Sequence, residues 1–255
     1  MAGEHLRISV VVPARNEERN IGSVLAQIPR EYEVVVVDGR SSDATLAAAR
    51  SARPDAVLVA QEGYGKGDAV AAGFARATGD IIVMADADGS MDLREVPQFV
   101  SALSAGADLV KGSRFLPGGG SDDITRLRAA GNACLTRMVN VLFRTQYTDL
   151  CYGFIAFWRE SLVFPVDAPG FEVEALMNIR AARAGLNVVE VPSFEGRRVH
   201  GTSNLRIWRD GLRILRTIVR ERVTAATSFD SPQTDLVLDL TDAVSEAPRA
   251  TTVGP

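Results

Sequence analysis

Only two cysteines and two histidines occur among 255 residues, and no stretch approaches the ~20 uninterrupted apolar residues that a membrane-spanning helix needs. Cys134 and Cys151 lie in separate segments without zinc-ligand spacing, which argues against a structural disulfide or a cysteine-based zinc site. The N-terminus runs almost at once into Ile8-Ser9-Val10-Val11-Val12, a pattern unlike a signal peptide. The chain is therefore expected to be cytoplasmic. A global excess of basic residues is also missing: the formal charge is -4. That value hides an asymmetry, because Asp230, Asp235, Asp239, Asp242 and Glu246 face Arg249 alone in the last stretch. With the remaining acids and bases balanced, nothing calls for nucleic acid.

With 46% hydrophobic and 24% charged residues, the chain can bury one sizeable core. Short β-branched runs at 8–12, 33–37, 56–60, 80–85 and 108–112 alternate with helical patterns, which implies an α/β fold around a mainly parallel sheet. Asn16 is expected to cap a helix carrying Glu17 and Glu18 in its first turn and Ile21, Val24, Leu25 and Ile28 on one face. Further helices are expected from about Ser42, from Gly65-Lys66-Gly67-Asp68, over Leu127–Phe143, over Glu172–Ala184 and over 206–223, with a strand at 188–191 and a loop at 193–204. Residues 1–223 then form one domain, with 1–115 and 116–223 as its halves. Residues 224–255 form an acidic tail expected to be disordered.

In an open parallel sheet, ligands bind beyond the carboxyl ends of the strands. Three such ends are unusually polar: Pro13-Ala14-Arg15-Asn16-Glu17-Glu18, Asp38-Gly39-Arg40-Ser41-Ser42-Asp43 and Asp86-Ala87-Asp88-Gly89-Ser90. Asp86 and Asp88, two apart in an extended segment, point to the same side and repel unless a proton or cation neutralises them. Such oxygen-rich ligation suits Mg²⁺ or Mn²⁺ held together with substrate phosphate oxygens. The bland alternative is a strand-to-turn transition, since Asp-Gly is a common turn dipeptide.

Taken together, PARNEE at 13–18, VDGRSSDAT at 37–45, GKGDAV at 65–70, GDIIVMADADGS at 79–90 and KGSRF at 111–115 resemble the successive motifs of family 2 glycosyltransferases. The likeness is to the dolichol-phosphate-mannose-synthase-like branch. It continues through YTDLCYGFIAFWR at 147–159, GFEVEALMNIRAARAG at 170–185, EVPSF at 190–194 and RVHGTSNL at 198–205. The resemblance implies a GT-A fold and a metal-dependent hexosyltransferase using a UDP- or GDP-sugar. It implies that Pro13, Ala14, Arg15, Glu17, Asp38 and Ser41 border the base and ribose, and that Lys66 lies near the base. Asp86 would face ribose and metal, and Asp88 would be the main metal ligand. Arg114 would approach the diphosphate or sugar, Arg128 and Arg198 would be phosphate or acceptor ligands, and Glu174 would lie near the donor sugar. Inversion is implied rather than retention, with a polyprenyl phosphate or a small molecule as acceptor. Asp149 is the candidate base for a hydroxyl acceptor, whereas an anionic phosphate needs no strong base.

Two positions depart from that branch: Ser90 stands where glutamine is usual, and Asn204 where lysine is frequent. His200, beside Gly201, reads as a surface residue, and His5 has no role. A retaining transferase acting on a small phosphorylated hydroxy acid and a nucleotidyltransferase are the competing enzymes; the latter should carry a glycine-rich loop where this chain has PARNEE. A non-catalytic binding module is the remaining alternative. On the last helix, Arg209, Arg213, Arg216 and Arg220 form one stripe and Trp208, Leu212, Leu215, Ile218 and Val219 another. Three roles fit this pattern: peripheral membrane contact, packing on the catalytic domain, or homodimerisation.

Overall fold

The computed structural model describes residues 6–201 and 205–228. Seven strands form the main sheet: β1 (Ile8–Ala14), β2 (Glu33–Asp38), β3 (Val57–Ala60), β4 (Ile81–Met84), β5 (Leu109–Ser113), β7 (Ile155–Trp158) and β8 (Val188–Pro192). Their order is β3-β2-β1-β4-β7-β5-β8. All neighbouring pairs are parallel except that β7 runs antiparallel between β4 and β5. A second, two-stranded sheet pairs β6 (Gly120–Ser121) with β9 (Phe194–Glu195).

Both faces of the main sheet are covered, which explains why its strands are apolar at successive positions instead of alternating. Val10, Val12, Val34, Val36, Ile81 and Val83 face one layer, formed by α1 (Ile21–Ala26), α2 (Thr45–Ala52) and α4 (Val96–Ser104). Val11, Val35, Val37, Ile82 and Met84 face the other, where α3 (Lys66–Arg76) and α6 (Val173–Arg183) supply Val70, Phe74, Val173, Leu176 and Met177. A third cluster joins α5 (Arg126–Phe143), α6 and α7 (Ile207–Ser228) through Val139, Ile179, Ile214 and Ile218.

The sheet matches the expected doubly wound GT-A arrangement, and the differences are local. Asn16 does not cap a helix: its φ is 57°, and its Oδ1 accepts the Ser42 N–H at 2.8 Å. The helix starts four residues later, with Asn20 at its N-cap and neither Glu17 nor Glu18 in its first turn. α2 begins at Thr45, not at Ser42, because Asp43 turns back to bond Thr45. Strand β7 and helix α4 are additions to the expected elements. Helix α7 runs five residues beyond the expected end at 223; the rest of the proposed acidic tail, 229–255, lies outside the described residues, as does Asn204.

α7 shows three faces. Asp210, Ile214, Thr217, Ile218 and Glu221 are buried, with Glu221 held by Arg180 at 2.8 Å and Arg183 at 2.5 Å. Of the apolar stripe read from the sequence, Ile218 packs inward while Trp208, Leu212 and Val219 do not. Trp208, Leu212, Val219 and Val223 remain exposed, Trp208 at 82%. No described helix is long and apolar enough to cross a membrane.

Candidate active site

The chain leaves β1 toward β2 on one side while β4 adds on the other, so a crevice opens where the direction of winding reverses. A cavity of about 310 Å³ occupies this place. The end of β1 gives Pro13, Ala14, Arg15 and Glu17; the β2 end gives Gly39; α3 gives Lys66 and Ala69; and the segment after β4 gives Asp86, Ala87 and Asp88. The second half of the chain adds Gly170, Phe171, Arg198, Arg206, Arg209 and Arg213.

The entry to α3 is built for close approach. Gly65 has φ 91°, and a Cβ there would sit 2.2 Å from the Pro169 carbonyl oxygen. A Cβ on Gly67 would sit 1.7 Å from the Ala168 oxygen. The Gly67 N–H instead donates to Pro169 O at 3.0 Å. Glycines thus let the segment carrying Gly170 and Phe171 seat against the helix that carries Lys66.

Each carboxylate of the Asp86/Asp88 pair is met by a cation from another part of the chain. Lys66 Nζ lies 2.6 Å from Asp86 Oδ1 and 2.7 Å from Glu174 Oε1. Arg198 Nη2 lies 2.8 Å from Asp88 Oδ2. Burial opposes the charge of Lys66, but Asp86 and Glu174 outweigh it and hold the ammonium protonated well above the usual lysine range. Burial likewise pushes Glu174 up, and Lys66 only partly offsets it. Glu17 is raised by burial, with Asp88 and Asp86 adding like charge and the Asn20 hydrogen bond opposing. The strap bearing Arg198 is anchored at the adjoining residues, where the His200 carbonyl accepts from Asn20 Nδ2 at 3.0 Å.

Other candidates lie behind the cavity wall. Asp38 is buried at the end of β2, and its carboxylate accepts the Ser41 N–H at 3.2 Å, shaping the turn at Gly39; neither Asp38 nor Ser41 lines the cavity. Arg114 and Asp149 are brought together, but with each other: Nε to Oδ2 is 2.7 Å and Nη2 to Oδ1 is 3.0 Å, both side chains buried. Arg114 Nη1 also reaches Glu195 Oε2 at 3.1 Å. Burial works against the Asp149 carboxylate, and the Arg114 guanidinium overcomes it and holds the group below the usual carboxylate range. Both oxygens of this carboxylate thus accept hydrogen bonds from Arg114. Lys111, fully buried, adds a bond to the Asp149 carbonyl and an ion pair to Glu190 at 3.1 Å, so the network ties the 147–152 segment to β5 and β8. Arg128 pairs with Asp123 at 3.3 Å, and Arg198 approaches the same carboxylate at 3.9 Å. Cys151 sits in this region with its thiol pushed up to about 12, by burial first and by Glu174 and Asp149 next, which disfavours the thiolate.

Sequence reasoning placed Arg209 and Arg213 on a basic stripe suited to a membrane surface and gave no role to Gln61, Gly170, Phe171 or Arg206; all six line the cavity. The 206, 209, 213 spacing suits one side of a helix and the residue before it, and the packing of Ile214 and Ile218 on α5 and α6 leaves that side lining the cavity.

A doubly wound sheet with an acidic pair at its switch point, opposed by basic side chains, defines a sugar-nucleotide-dependent transferase of the GT-A class. The chain belongs to glycosyl transferase family 2, whose model matches residues 9–164. Among its relatives is an uncharacterized glycosyltransferase of Mycobacterium tuberculosis, 38% identical over 208 residues, covering 80% of this chain and 91% of the relative. A dolichyl-phosphate hexose transferase of Haloferax volcanii is 34% identical, over 84% of this chain and 92% of its own. A solved neighbour is glucosyl-3-phosphoglycerate synthase from Mycobacterium tuberculosis in complex with Mn²⁺, UDP and glucosyl-3-phosphoglycerate. It superposes with a TM-score of 0.67 at 28% identity, over 86% of this chain and 80% of that one. The protein is a glycosyltransferase that uses nucleotide-sugar donors.

Proposed function

We propose that the protein transfers a hexose, with inversion, from a UDP- or GDP-sugar to a polyprenyl phosphate. The observation that carries the donor side is the placement of Asp86 and Asp88 on one lip of the cavity, each already matched to a cation, Lys66 and Arg198. Paired carboxylates that recruit protein cations are hard oxygen donors suited to Mg²⁺ or Mn²⁺, although no three acidic, histidine or cysteine residues among the described residues are placed so as to hold a metal ion by themselves. Substrate phosphate oxygens would complete such a site. When bound, the metal would supply charge stabilisation to the departing nucleoside diphosphate.

The chain's own residues do the rest. Pro13, Ala14, Arg15 and Glu17 border the end of the cavity where base and ribose fit, with Asp38 and Ser41 fixing the turn beside them. Lys66 neutralises Asp86 and Glu174 at the place where donor ribose and sugar would meet. Asp149 and Arg114 act as a positioning pair: they hold the 147–152 segment and the chain beyond β5 against one another, and neither handles the substrate proton. An acceptor that is already anionic needs no strong base, which agrees with the absence of a free buried base at Asp149. The exposed Trp208, Leu212 and Val219 on α7 support peripheral contact with a membrane, where such an acceptor resides.

A second reading has a specific observation behind it: the solved neighbour carries glucosyl-3-phosphoglycerate, so a soluble phosphorylated hydroxy acid is the competing acceptor, with retention. A thermal-shift panel of UDP-, GDP- and dTDP-sugars with and without Mn²⁺ identifies the donor, since a ligand that binds only the folded state raises apparent stability. Product formation with polyprenyl phosphate or phosphoglycerate, and the anomeric coupling of the product by NMR, separates the two acceptors.

A further inference from the structure

Two electrically different groups of side chains line the cavity. Around Asp86 and Asp88, four carboxylates including Glu17 and Glu174 stand against Arg15, Lys66 and Arg198, a surplus of one negative charge. On the α7 side the sign reverses. Arg206, Arg209 and Arg213 all line the cavity, and Asp210 is the one carboxylate in those first turns.

The geometry of Asp210 is informative. It is buried, and its Oδ2 accepts the Arg206 backbone N–H at 2.7 Å. Its Oδ1 is buried without a hydrogen-bond partner, and Arg209 Nε and Arg213 Nη1 stay 3.6 and 3.7 Å away. Asp210 thus fixes the helix start and attracts the two guanidiniums without consuming their donors. Among the described residues, the side chains of Arg206, Arg209 and Arg213 donate no hydrogen bond. The structural arginines behave differently: Arg53 spends its donors on four main-chain carbonyls and Asp55, and Arg114 spends its on Asp149 and Glu195. Guanidinium groups that converge on a cavity with their N–H groups unspent are arranged to take an oxyanion, by parallel hydrogen bonds as well as by charge.

We infer that Arg206, Arg209 and Arg213 form the subsite for the acceptor's phosphate monoester, separate from the donor diphosphate at Asp86/Asp88. This rests on the transferase reading above and names the residues that select its acceptor. A donor diphosphate and its divalent metal together add no net charge, so of the two surplus positive charges on the α7 side only one is offset by the carboxylates around Asp86 and Asp88. A phosphate monoester dianion accounts for the other. It would arrive as a lipid headgroup, its chain leaving past exposed Trp208 and Leu212, or as a free phosphorylated metabolite.

The test uses the full chain and two probes, citronellyl phosphate and glycerol 3-phosphate, titrated calorimetrically into protein loaded with Mn²⁺ and whichever of UDP or GDP binds. Arg209→Gln and Arg213→Gln, both at partly exposed side chains, should each weaken phosphate-probe affinity about tenfold, as loss of a charged hydrogen bond implies. Nucleotide affinity should stay within about twofold, and Arg213→Lys should recover part of the loss. A preference for citronellyl phosphate identifies the lipid source, and a preference for glycerol 3-phosphate the free one. The proposal is overturned if neither probe binds the loaded wild type, if the variants bind the probes unchanged, or if nucleotide affinity falls in parallel, which would assign the arginines to the donor. If neither nucleotide binds, the donor reading fails; the same titrations on the empty protein then still decide whether these arginines hold phosphate.

Discussion

Arg198 Nη2 sits 2.8 Å from Asp88 Oδ2, so a cation of the protein stands where the metal reading needs a divalent one. Arg198 rides on the strap between β9 and α7, far in sequence from Asp88, and its Nε is buried with no hydrogen-bond partner. The pair is thus a competitor for metal. Arg198→Gln should tighten Mn²⁺ binding to nucleotide-free protein by about tenfold, equivalent to ~1.4 kcal/mol, as read by the free-Mn²⁺ signal in electron paramagnetic resonance. The same variant should bind nucleoside diphosphate more weakly, because the released guanidinium is then lost to the phosphates. Mn²⁺ affinity that is unchanged or lower in the variant contradicts the competition.

Asp149→Asn is expected to act on stability first. It leaves the buried Arg114 without its bidentate partner, a change that typically costs about 3–5 kcal/mol. For a domain of this size that corresponds to a fall in Tm of roughly 6–20 °C, measurable by calorimetry. The pH dependence has a definite sign: the folded-state pKa of Asp149 is depressed, so its contribution is present above the ordinary carboxylate range and is lost as pH falls through the folded value. Wild type should therefore lose stability relative to Asp149→Asn on acidification below about pH 4, the unperturbed Asp value. A variant with unchanged Tm and greatly reduced kcat would instead make Asp149 a catalytic base.

Gly67→Ala tests the seating of α3 against the 168–170 segment. The added methyl meets a main-chain carbonyl that cannot rotate away, so the segment must shift. Overpacking of this kind costs roughly 1–3 kcal/mol. Because Gly170 and Phe171 line the cavity, the donor KM should rise along with the fall in Tm. An alanine variant with wild-type Tm would show that the close approach is not tight.

Exposed Trp208, Leu212 and Val219, with Arg216 beside them, should bind the wild type to anionic vesicles in a salt-sensitive way. Co-sedimentation should fall on Trp208→Ala while the Tm is kept, since this side chain is mostly solvent-exposed. Wild type that stays in the supernatant at low salt, or that elutes as a dimer broken by Trp208→Ala, assigns the stripe to another use.

The parts legible in the sequence are those fixed by local period and by position at strand ends. The valine runs of β1 and β2 read as strands because β-branched residues recur in short blocks, and the acidic pair is found from its place just past such a block; the extended segment expected there is not present, since β4 ends at Met84 and Ala87-Asp88 form a turn. Strand β7 was hidden because Ile155–Trp158 is four apolar residues whose antiparallel insertion between β4 and β5 is decided by pairing, not by its own pattern. The face on which α7 packs was only partly legible, because it mixes Ile214 and Ile218 with buried Asp210, Thr217 and Glu221, which hydrophobic periodicity does not mark. Arg114 and Asp149 carry the residue types of catalysis, and only three-dimensional pairing shows that they spend their charge on each other.

The central claim, that nucleotide-sugar chemistry depends on a cation held at Asp86 and Asp88, is tested most directly by Asp88→Asn in a transfer assay with the donor that the thermal-shift panel identifies. The account expects wild-type Tm within a few degrees, nucleotide binding no longer strengthened by Mn²⁺, and transfer below a tenth of wild type, a barrier increase above ~1.4 kcal/mol. A variant that keeps Mn²⁺-dependent nucleotide binding and more than a tenth of the activity would contradict it.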